Sequence, residues 1–186
     1  MIKDKATIRA KREGYKARSV YKLLSINSKY QMIKQNDNVL DLGCWPGSWL
    51  QACLKFKARP VGIDLKETKI KDVETLIGDV TKESVLEKLR NYGKFDVVLS
   101  DMAPNTTGNI HVDQYKSYEL SKRALHVAKK LLKIHGNFVV KIFQGEESNE
   151  LFRELKINFS FVKLVKPEIS KKRSKEIYFV CKNYRG

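Results

Sequence analysis

The chain has 186 residues, 42% of them hydrophobic, and a formal net charge of +16, which suits one globular domain with a sizeable core. No apolar stretch approaches the roughly 20 residues of a transmembrane helix, and the N-terminus lacks the apolar centre of a secretory signal peptide. Three cysteines without paired spacing and three scattered histidines predict reduced intracellular thiols and no metal site. Cytoplasm, nucleus and mitochondrion or another organelle stay open, because the basic, acid-poor start is also typical of transit peptides.

The positive charge is concentrated at the two ends of the chain. Residues 1–34 hold ten Lys or Arg against two acids, and residues 166–186 hold seven against two. A run of charges is commonly only a solvated face, but this uneven placement favours a polyanionic partner, most simply a nucleic acid. An anionic membrane surface is the weaker alternative, because no segment joins the basic residues to a wide apolar face.

Helices and strands alternate along the predicted chain. Residues 1–16 have few apolar anchors and predict a mobile basic arm, and an apolar stripe at helical spacing predicts a helix over 17–30. The other predicted helices cover residues 48–56, 82–91, 113–134 and 147–157. The predicted strands cover residues 38–42, 60–64, 76–77, 95–101, 137–143, 161–165 and 177–182.

This alternation predicts an α/β fold in a single domain over residues 17–186. Alternating strands and helices favour a mostly parallel sheet, here of seven strands, with helices on both faces. The last two strands are joined by a basic loop over 166–175 without a crossover helix, so one strand is expected to run antiparallel. Gly136, which follows several lysines, is the predicted stop of the helix over 113–134.

The turn from Gly43 to Gly47 has the place of a ligand-binding loop. It follows a strand and precedes a helix, where an open α/β sheet binds nucleotides, and its glycines let the backbone approach a ligand closely. Its spacing differs from the GxGxxG of dinucleotide folds, and Pro46 removes an N–H that phosphate binding would use. With Asp64 placed for a ribose diol and Asp79 for an exocyclic amine, the pattern indicates S-adenosylmethionine rather than NAD.

Four charged residues stand out because three of them lie in or beside predicted strands. Asp101 ends one strand, Lys141 lies inside another and Glu176 comes just before the last, while Lys22 lies on the first predicted helix. A buried charge is costly unless it is paired or used. If these four side chains converge, they form a site that moves a proton or holds a polar substrate.

Five motifs follow one another between about residue 17 and residue 182, and they read RSxYKL, DLGxxPGxW, SDMAPN, VVKxFQGE and KPxxSxxxSxExY. In this order they resemble the FtsJ-type ribose 2′-O-methyltransferases. The resemblance implies a Rossmann-like class I methyltransferase fold that binds S-adenosylmethionine. It also implies 2′-O-ribose methylation of large-subunit ribosomal RNA, at a uridine, by a monomer that acts on this RNA or on a large ribosomal subunit particle.

The resemblance assigns roles to residues. It implies that Lys22, Asp101, Lys141 and Glu176 are the Lys-Asp-Lys-Glu catalytic tetrad of the family. It implies a cofactor site made of the first loop and of acids at strand ends, namely Asp41, Gly43, Gly47, Trp49, Asp64, Asp79 and Asp101. Cys44-Trp45 departs from the small residues usual in the family, so Trp45 is expected either to crowd the cofactor or to point outward.

The tetrad suits the chemistry of a ribose hydroxyl, which must lose its proton as it attacks. Lys141 is the predicted base, activated by a dry pocket and by Lys22 as a second ammonium. Asp101 and Glu176 are then expected to hold the ammonium and the hydroxyl by charge-assisted hydrogen bonds.

The basic ends fit an RNA substrate, with the Lys and Arg residues of 3–34 and 166–175 predicted to hold phosphates. Tyr15 and Tyr21 have the spacing of core residues more than of a base-stacking pair. Two alternatives stay open, a tRNA 2′-O-ribose methyltransferase of the same family and a noncatalytic RNA-binding factor in ribosome assembly.

Overall fold

The computed structural model describes residues 5–167 and 174–186. Its helices are α1 (Lys5–Arg12), α2 (Val20–Tyr30), α3 (Ser48–Lys55), α4 (Glu83–Arg90), α5 (Ile110–Leu131) and α6 (Glu147–Asn158). Its strands are β1 (Asn38–Leu42), β2 (Arg59–Asp64), β3 (Glu74–Ile77), β4 (Phe95–Ser100), β5 (Leu132–Phe143), β6 (Phe159–Val165) and β7 (Glu176–Tyr184). Within these ranges, none of the helices combines the length and the apolarity needed to cross a bilayer.

The seven strands form one sheet in the order β3-β2-β1-β4-β5-β7-β6. β7 pairs antiparallel with both β5 and β6, whereas the pairs among β1 to β5 are parallel. The predicted α/β fold with one antiparallel strand is therefore confirmed. Because β7 runs in reverse, its first residue lies at the same edge of the sheet as the carboxyl ends of the parallel strands.

The core has two layers, one on each face of the sheet, as predicted. Successive residues of a strand point to opposite faces, so Leu40 and Val98 pack in one layer while Val39 and Val97 pack in the other. Helices α4, α5 and α6 supply residues to the first layer, and α1, α2 and α3 supply residues to the second. The central strands are buried on both sides, which explains their continuous apolar runs.

The long helix α5 differs from the prediction at both ends. It begins at Ile110 because the Asn109 side chain caps it, accepting from the backbone N–H groups of His111 and Val112. It ends at Leu131, and β5 begins directly at Leu132. Gly136 is thus not a helix stop but part of β5, where an added Cβ would lie 3.0 Å from the Asp96 carbonyl oxygen.

The N-terminal segment also differs from the predicted arm. From Lys5 onward it forms α1, and Ala10 packs into the second core layer beside Tyr21, which is itself buried. Glu13 fastens the segment, since its carboxylate accepts from Arg9 at 2.7 Å and from the Tyr21 hydroxyl at 3.0 Å. Residues 1–4 of the predicted arm and residues 168–173 of the predicted basic loop lie outside the described residues.

Candidate active site

The carboxyl ends of the central strands open onto a cavity of about 490 Å³. The sheet order reverses direction between β1 and β4, and such a switch point is where open α/β sheets bind ligands. Most residues that line the cavity come from the ends of β1, β2, β3 and β4, among them Gly43, Trp45, Asp64, Asp79, Asp101 and Met102, and Leu120 of α5 completes the lining. Four of the seven predicted cofactor residues therefore meet here: Gly43, Asp64, Asp79 and Asp101.

The loop after β1 requires glycine at two positions. Gly43 has a φ of +77°, and an added Cβ would lie 2.5 Å from Cγ of Met102, a residue of the cavity wall. Gly47 has a φ of +106°, and its Cβ would lie 2.4 Å from Cδ1 of Ile70. Gly43 therefore keeps the cavity open, whereas Gly47 faces the segment between β2 and β3 and does not line the cavity.

The carboxylates of Asp64 and Asp79 are held in place by backbone donors. Asp64 accepts from the N–H of Trp45 at 3.0 Å and from the N–H of Lys66 at 2.9 Å. Asp79 uses one oxygen, Oδ1, to accept from Thr81, both from its N–H and from its hydroxyl. These hydrogen bonds, the backbone one first, lower the pKa of Asp79, so the second oxygen, Oδ2, is a charged acceptor for a ligand.

Trp45 lies at the mouth of the cavity and is 50% exposed. The Lys66 ammonium is 4.3 Å from the centre of its ring, a distance typical of a cation–π contact. The indole therefore lines the entrance of the cavity without filling its interior.

Asp41 and Trp49 are close to the cavity but do not line it. The Asp41 carboxyl is 1% exposed, and among the described residues it has no hydrogen-bond partner. Burial, followed by the charges of Asp101 and Asp64, raises the pKa of Asp41 well above its ordinary value. The Trp49 indole is buried and donates to the Ser19 carbonyl at 2.9 Å, so it does not line the cavity, and its assignment to the cofactor site stays a prediction.

The four predicted tetrad residues converge at the edge of this cavity. Asp101 follows β4, Lys141 lies near the end of the neighbouring β5, and Glu176 opens β7 opposite Phe143. Lys22 comes from α2, which is fixed to α3 by a 2.8 Å hydrogen bond between the Ser19 and Ser48 hydroxyl groups.

The charges in the tetrad alternate and compensate one another. The Lys141 ammonium is 2.9 Å from Asp101 Oδ1 and 3.9 Å from Glu176 Oε1, and it also donates to the Asp101 carbonyl. The Lys22 ammonium is 2.8 Å from Glu176 Oε2. Because the side chains of Lys22 and Lys141 are 9% and 4% exposed, each ammonium needs this pairing to be buried at all.

Tyr178 is a site residue that the sequence analysis missed. Its hydroxyl donates to Asp101 Oδ1 at 2.7 Å, and its ring centre is 5.6 Å from the Lys22 ammonium. The ring also packs against Trp49, with 5.9 Å between the centroids. Tyr178 pairs with Lys141 across the strands. Because residues two apart on a strand point to the same face, the position of Tyr178 two residues after Glu176 could have identified it from the sequence.

A second cavity of about 510 Å³ opens on the other side of the tetrad. Its walls come from the turn before α2, the start of α5, the end of β5 and the start of β7, and they include Arg18, Ile110, Gln114, Phe143, Ser174 and Glu176. Asp101 lines the first cavity and Glu176 lines the second. The four charges therefore stand between two spaces, as a reaction between two bound molecules requires.

Residues 15–184 match the family described as FtsJ-like methyltransferase. The chain belongs to the FtsJ-like methyltransferase family. A relative from Archaeoglobus fulgidus, named ribosomal RNA large subunit methyltransferase E, is 43% identical over 179 residues, which cover 95% of this chain and 94% of the relative.

One solved structure supports the family, and a second shares the fold. A crystal structure described as a ribosomal RNA methyltransferase from Plasmodium falciparum matches with a TM-score of 0.84 and 35% identity, covering 92% of this chain and 100% of that one. Human methyltransferase-like protein 13 in complex with SAH matches with a TM-score of 0.60 and 15% identity, covering 89% and 79%. At that identity the second match speaks for the fold alone.

The position of Glu176 in the FtsJ-like site predicts how its charge contributes to stability. Burial by itself would raise the pKa of Glu176, but Lys22, Lys141 and Ser174 outweigh it, so the pKa lies below its ordinary value of 4.5. A lowered folded-state pKa adds stability above pH 4.5 that is lost as the pH falls through the folded value. We expect Glu176→Gln to cost about 3–5 kcal/mol at pH 7, because it leaves the buried Lys22 ammonium without its carboxylate partner, and to flatten the loss of stability towards pH 3.

Urea denaturation between pH 7 and pH 3 measures this effect, with the exposed Glu87→Gln as the control. A Glu176→Gln variant whose stability falls as steeply with acid as that of the unaltered protein would contradict the prediction.

Proposed function

We propose that this protein transfers a methyl group from S-adenosylmethionine to a ribose 2′-hydroxyl of large-subunit ribosomal RNA. One observation carries the proposal: Lys22, Asp101, Lys141 and Glu176 meet in one paired cluster between two cavities. The family and the name of the Archaeoglobus fulgidus relative support the reaction class and the RNA. The proposal extends to a monomer that acts on this RNA, free or within a large-subunit particle.

The first cavity suits S-adenosylmethionine in its chemistry. Asp64 and Asp79 each keep acceptor capacity on a carboxylate, which fits a ribose diol and an exocyclic amine respectively. Asp41 lies near the end of β1, two positions before Gly43, and its buried carboxyl has no hydrogen-bond partner among the described residues, so it keeps hydrogen-bonding capacity beside this loop. When bound, S-adenosylmethionine supplies a methyl group that is activated by its attachment to a sulfonium.

The second cavity suits the target nucleotide. It brings apolar surface from Ile110 and Phe143 and polar groups from Gln114 and Ser174 next to Glu176. A ribose bound in this cavity would place its 2′-hydroxyl next to Glu176, and its base would pack against Ile110 and Phe143. RNA bases that are splayed out of a helix are commonly held on such surfaces.

The protein's own residues then position and deprotonate the hydroxyl. Glu176, held by Lys22 and by Ser174 at 3.0 Å, accepts a hydrogen bond from the 2′-hydroxyl and orients it. Lys141 first releases one proton to solvent, and as the oxygen takes the methyl group from the sulfonium, the hydroxyl proton passes to the free amine of Lys141. Asp101, fixed by the Tyr178 hydroxyl, stabilises the ammonium that results.

Methyl transfer from a labelled donor to total RNA, followed by separation of the ribosomal RNAs from tRNA, tests the proposed reaction. We expect the label to enter the large-subunit RNA at one nucleotide and the modified ribose to resist alkaline cleavage of its 3′ phosphodiester. A transcript with a 2′-deoxyribose at that nucleotide accepts no label. Label on a base, or exclusively on tRNA, would refute the proposal, and the absence of any label would favour a noncatalytic role.

Lys141→Ala tests the assignment of the base. We expect methylation to fall by about 10²–10⁴-fold, the usual contribution of a general base, while the donor still binds, because Lys141 does not line the first cavity. Single-turnover rates and calorimetric donor affinities measure the two effects. Lys163→Ala, at an exposed position of β6, is the control, and near-normal turnover by Lys141→Ala would reject Lys141 as the base.

Gly43→Ala tests the cofactor cavity with a matched control. Gly43 and Gly93 have similar φ values of +77° and +80°, but an added Cβ meets Met102 at 2.5 Å at Gly43 and nothing within 4 Å at Gly93. Both alanine variants should therefore lose about 1–2 kcal/mol of stability through backbone strain. Only Gly43→Ala also displaces the Met102 side chain towards the cavity. We expect Gly43→Ala alone to lose at least about tenfold in affinity for S-adenosylmethionine, or 1.4 kcal/mol.

Calorimetric titration of both glycine variants with S-adenosylmethionine supplies the comparison. Equal affinities for the two variants would show that the cofactor is bound somewhere other than beside Met102.

A further inference from the structure

A third cavity, of about 560 Å³, lies apart from the tetrad. We call it the basic groove. It runs between the turn that follows α1, the exposed side of α3, and the segment between β2 and β3. Its walls include Tyr15, Lys16, Leu54, Lys55, Lys69 and Lys71.

The basic groove carries positive charge that its own walls do not neutralise. All four lysines are exposed, and Lys69 is the one that has an ion pair, with Glu67 at 3.0 Å, among the described residues. Glu13 is the acid that lines the groove. Its carboxylate is already held by Arg9 and Tyr21, so the ammonium groups of Lys16, Lys55 and Lys71 have no ion pair among the described residues.

The floor of the basic groove is partly apolar. Leu54 is 37% exposed, and Tyr15 is half-buried, with its ring edge-on to Tyr21 at 6.1 Å between the centroids. The Lys55 ammonium donates to the Tyr15 hydroxyl at 3.5 Å. A floor that combines an aromatic ring and an aliphatic side chain, with ammonium groups on the rim, matches a chain of phosphates that carries planar bases.

The basic groove is separate from the two cavities that flank the tetrad. The segment between β2 and β3 divides them: Leu65 and Lys66 line the cofactor cavity, whereas Lys69 and Lys71 line the groove. Among the described residues, the groove has no lining residue in common with the cofactor cavity or with the cavity beside Glu176. A ligand in the groove therefore contributes affinity and not chemistry.

We propose that the basic groove binds the phosphate backbone of the substrate RNA at a segment outside the target nucleotide. This inference rests on the proposed function, because it assigns the groove to the same RNA. The basic last turn of α1, with Arg9, Lys11 and Arg12, precedes the groove along the chain. The extended positive surface suits a polymer with regularly spaced charges better than a single small anion.

The experiment compares two variants that lose the same charge. One carries K16Q, K55Q, K69Q and K71Q in the groove, and the control carries K88Q, K129Q, K130Q and K163Q at exposed positions elsewhere. Methylation is measured on a large-subunit RNA transcript and on a short single strand centred on the mapped target nucleotide, each over a range of salt concentrations.

We expect the groove variant alone to raise KM for the long transcript by roughly tenfold at physiological salt, with kcat unchanged. Its logarithmic salt slope for that transcript should fall by about 3, since each lost phosphate contact contributes ~0.7 for a single strand. On the short strand, both variants should behave like the unaltered protein, because that strand does not reach the groove.

The outcomes separate this inference from the proposed function. If the unaltered protein methylates the transcript and the two variants have equal KM values and salt slopes, the groove does not bind RNA, and an acidic protein becomes its candidate partner. If the unaltered protein does not methylate either RNA, the proposed function fails, and filter binding of the transcript to the two variants decides on the groove. Equal affinities in that assay overturn the inference.

Discussion

The pairing of two buried ammonium groups with two carboxylates is the constraint on which this structure depends. An uncompensated charge at such a depth costs several kcal/mol, so Lys22 and Lys141 can be buried only where Glu176 and Asp101 are also present. These residues belong to a helix and three different chain segments. Their pairing therefore fixes α2, the end of β4, β5 and the start of β7 relative to one another.

The reversed direction of β7 makes this pairing possible. A parallel strand at the same place would bring its carboxyl end to the site and carry Glu176 to the far edge of the sheet. Because β7 is antiparallel to β5, Glu176 lies opposite Phe143, and Tyr178 lies opposite Lys141. Tyr178 then joins the charges to the core, since its hydroxyl binds Asp101 while its ring packs on Trp49. The packed rings of Tyr178 and Trp49 thus hold the Tyr178 hydroxyl in place against Asp101.

In the proposed function, RNA affinity and methyl transfer depend on different surfaces of the protein. The tetrad stands between the cofactor cavity and the cavity beside Glu176, where positioning accounts for much of the rate in a transfer reaction. The basic groove lies beyond the segment between β2 and β3 and presents exposed lysines without a role in that reaction. Exposed charges at a distance from the site steer and hold a polyanion. The proposed RNA contact would thus give a role to one group of exposed lysines, most of which lie outside the two basic ends of the chain.

The sequence by itself determined the fold class, the strand order in the chain and the four charged residues, because these depend on local patterns. The β1 prediction agrees with the structure at both ends, since a run this short between polar turns suits a strand and not a helix. The tertiary structure decided what depends on contacts between distant segments: Gly136 lies in a strand because it packs against Asp96. Trp49 and Tyr178 form the support of the site because α3 and β7 meet beneath it. Likewise, Lys16 and Lys69 share a groove through packing that no spacing in the sequence encodes.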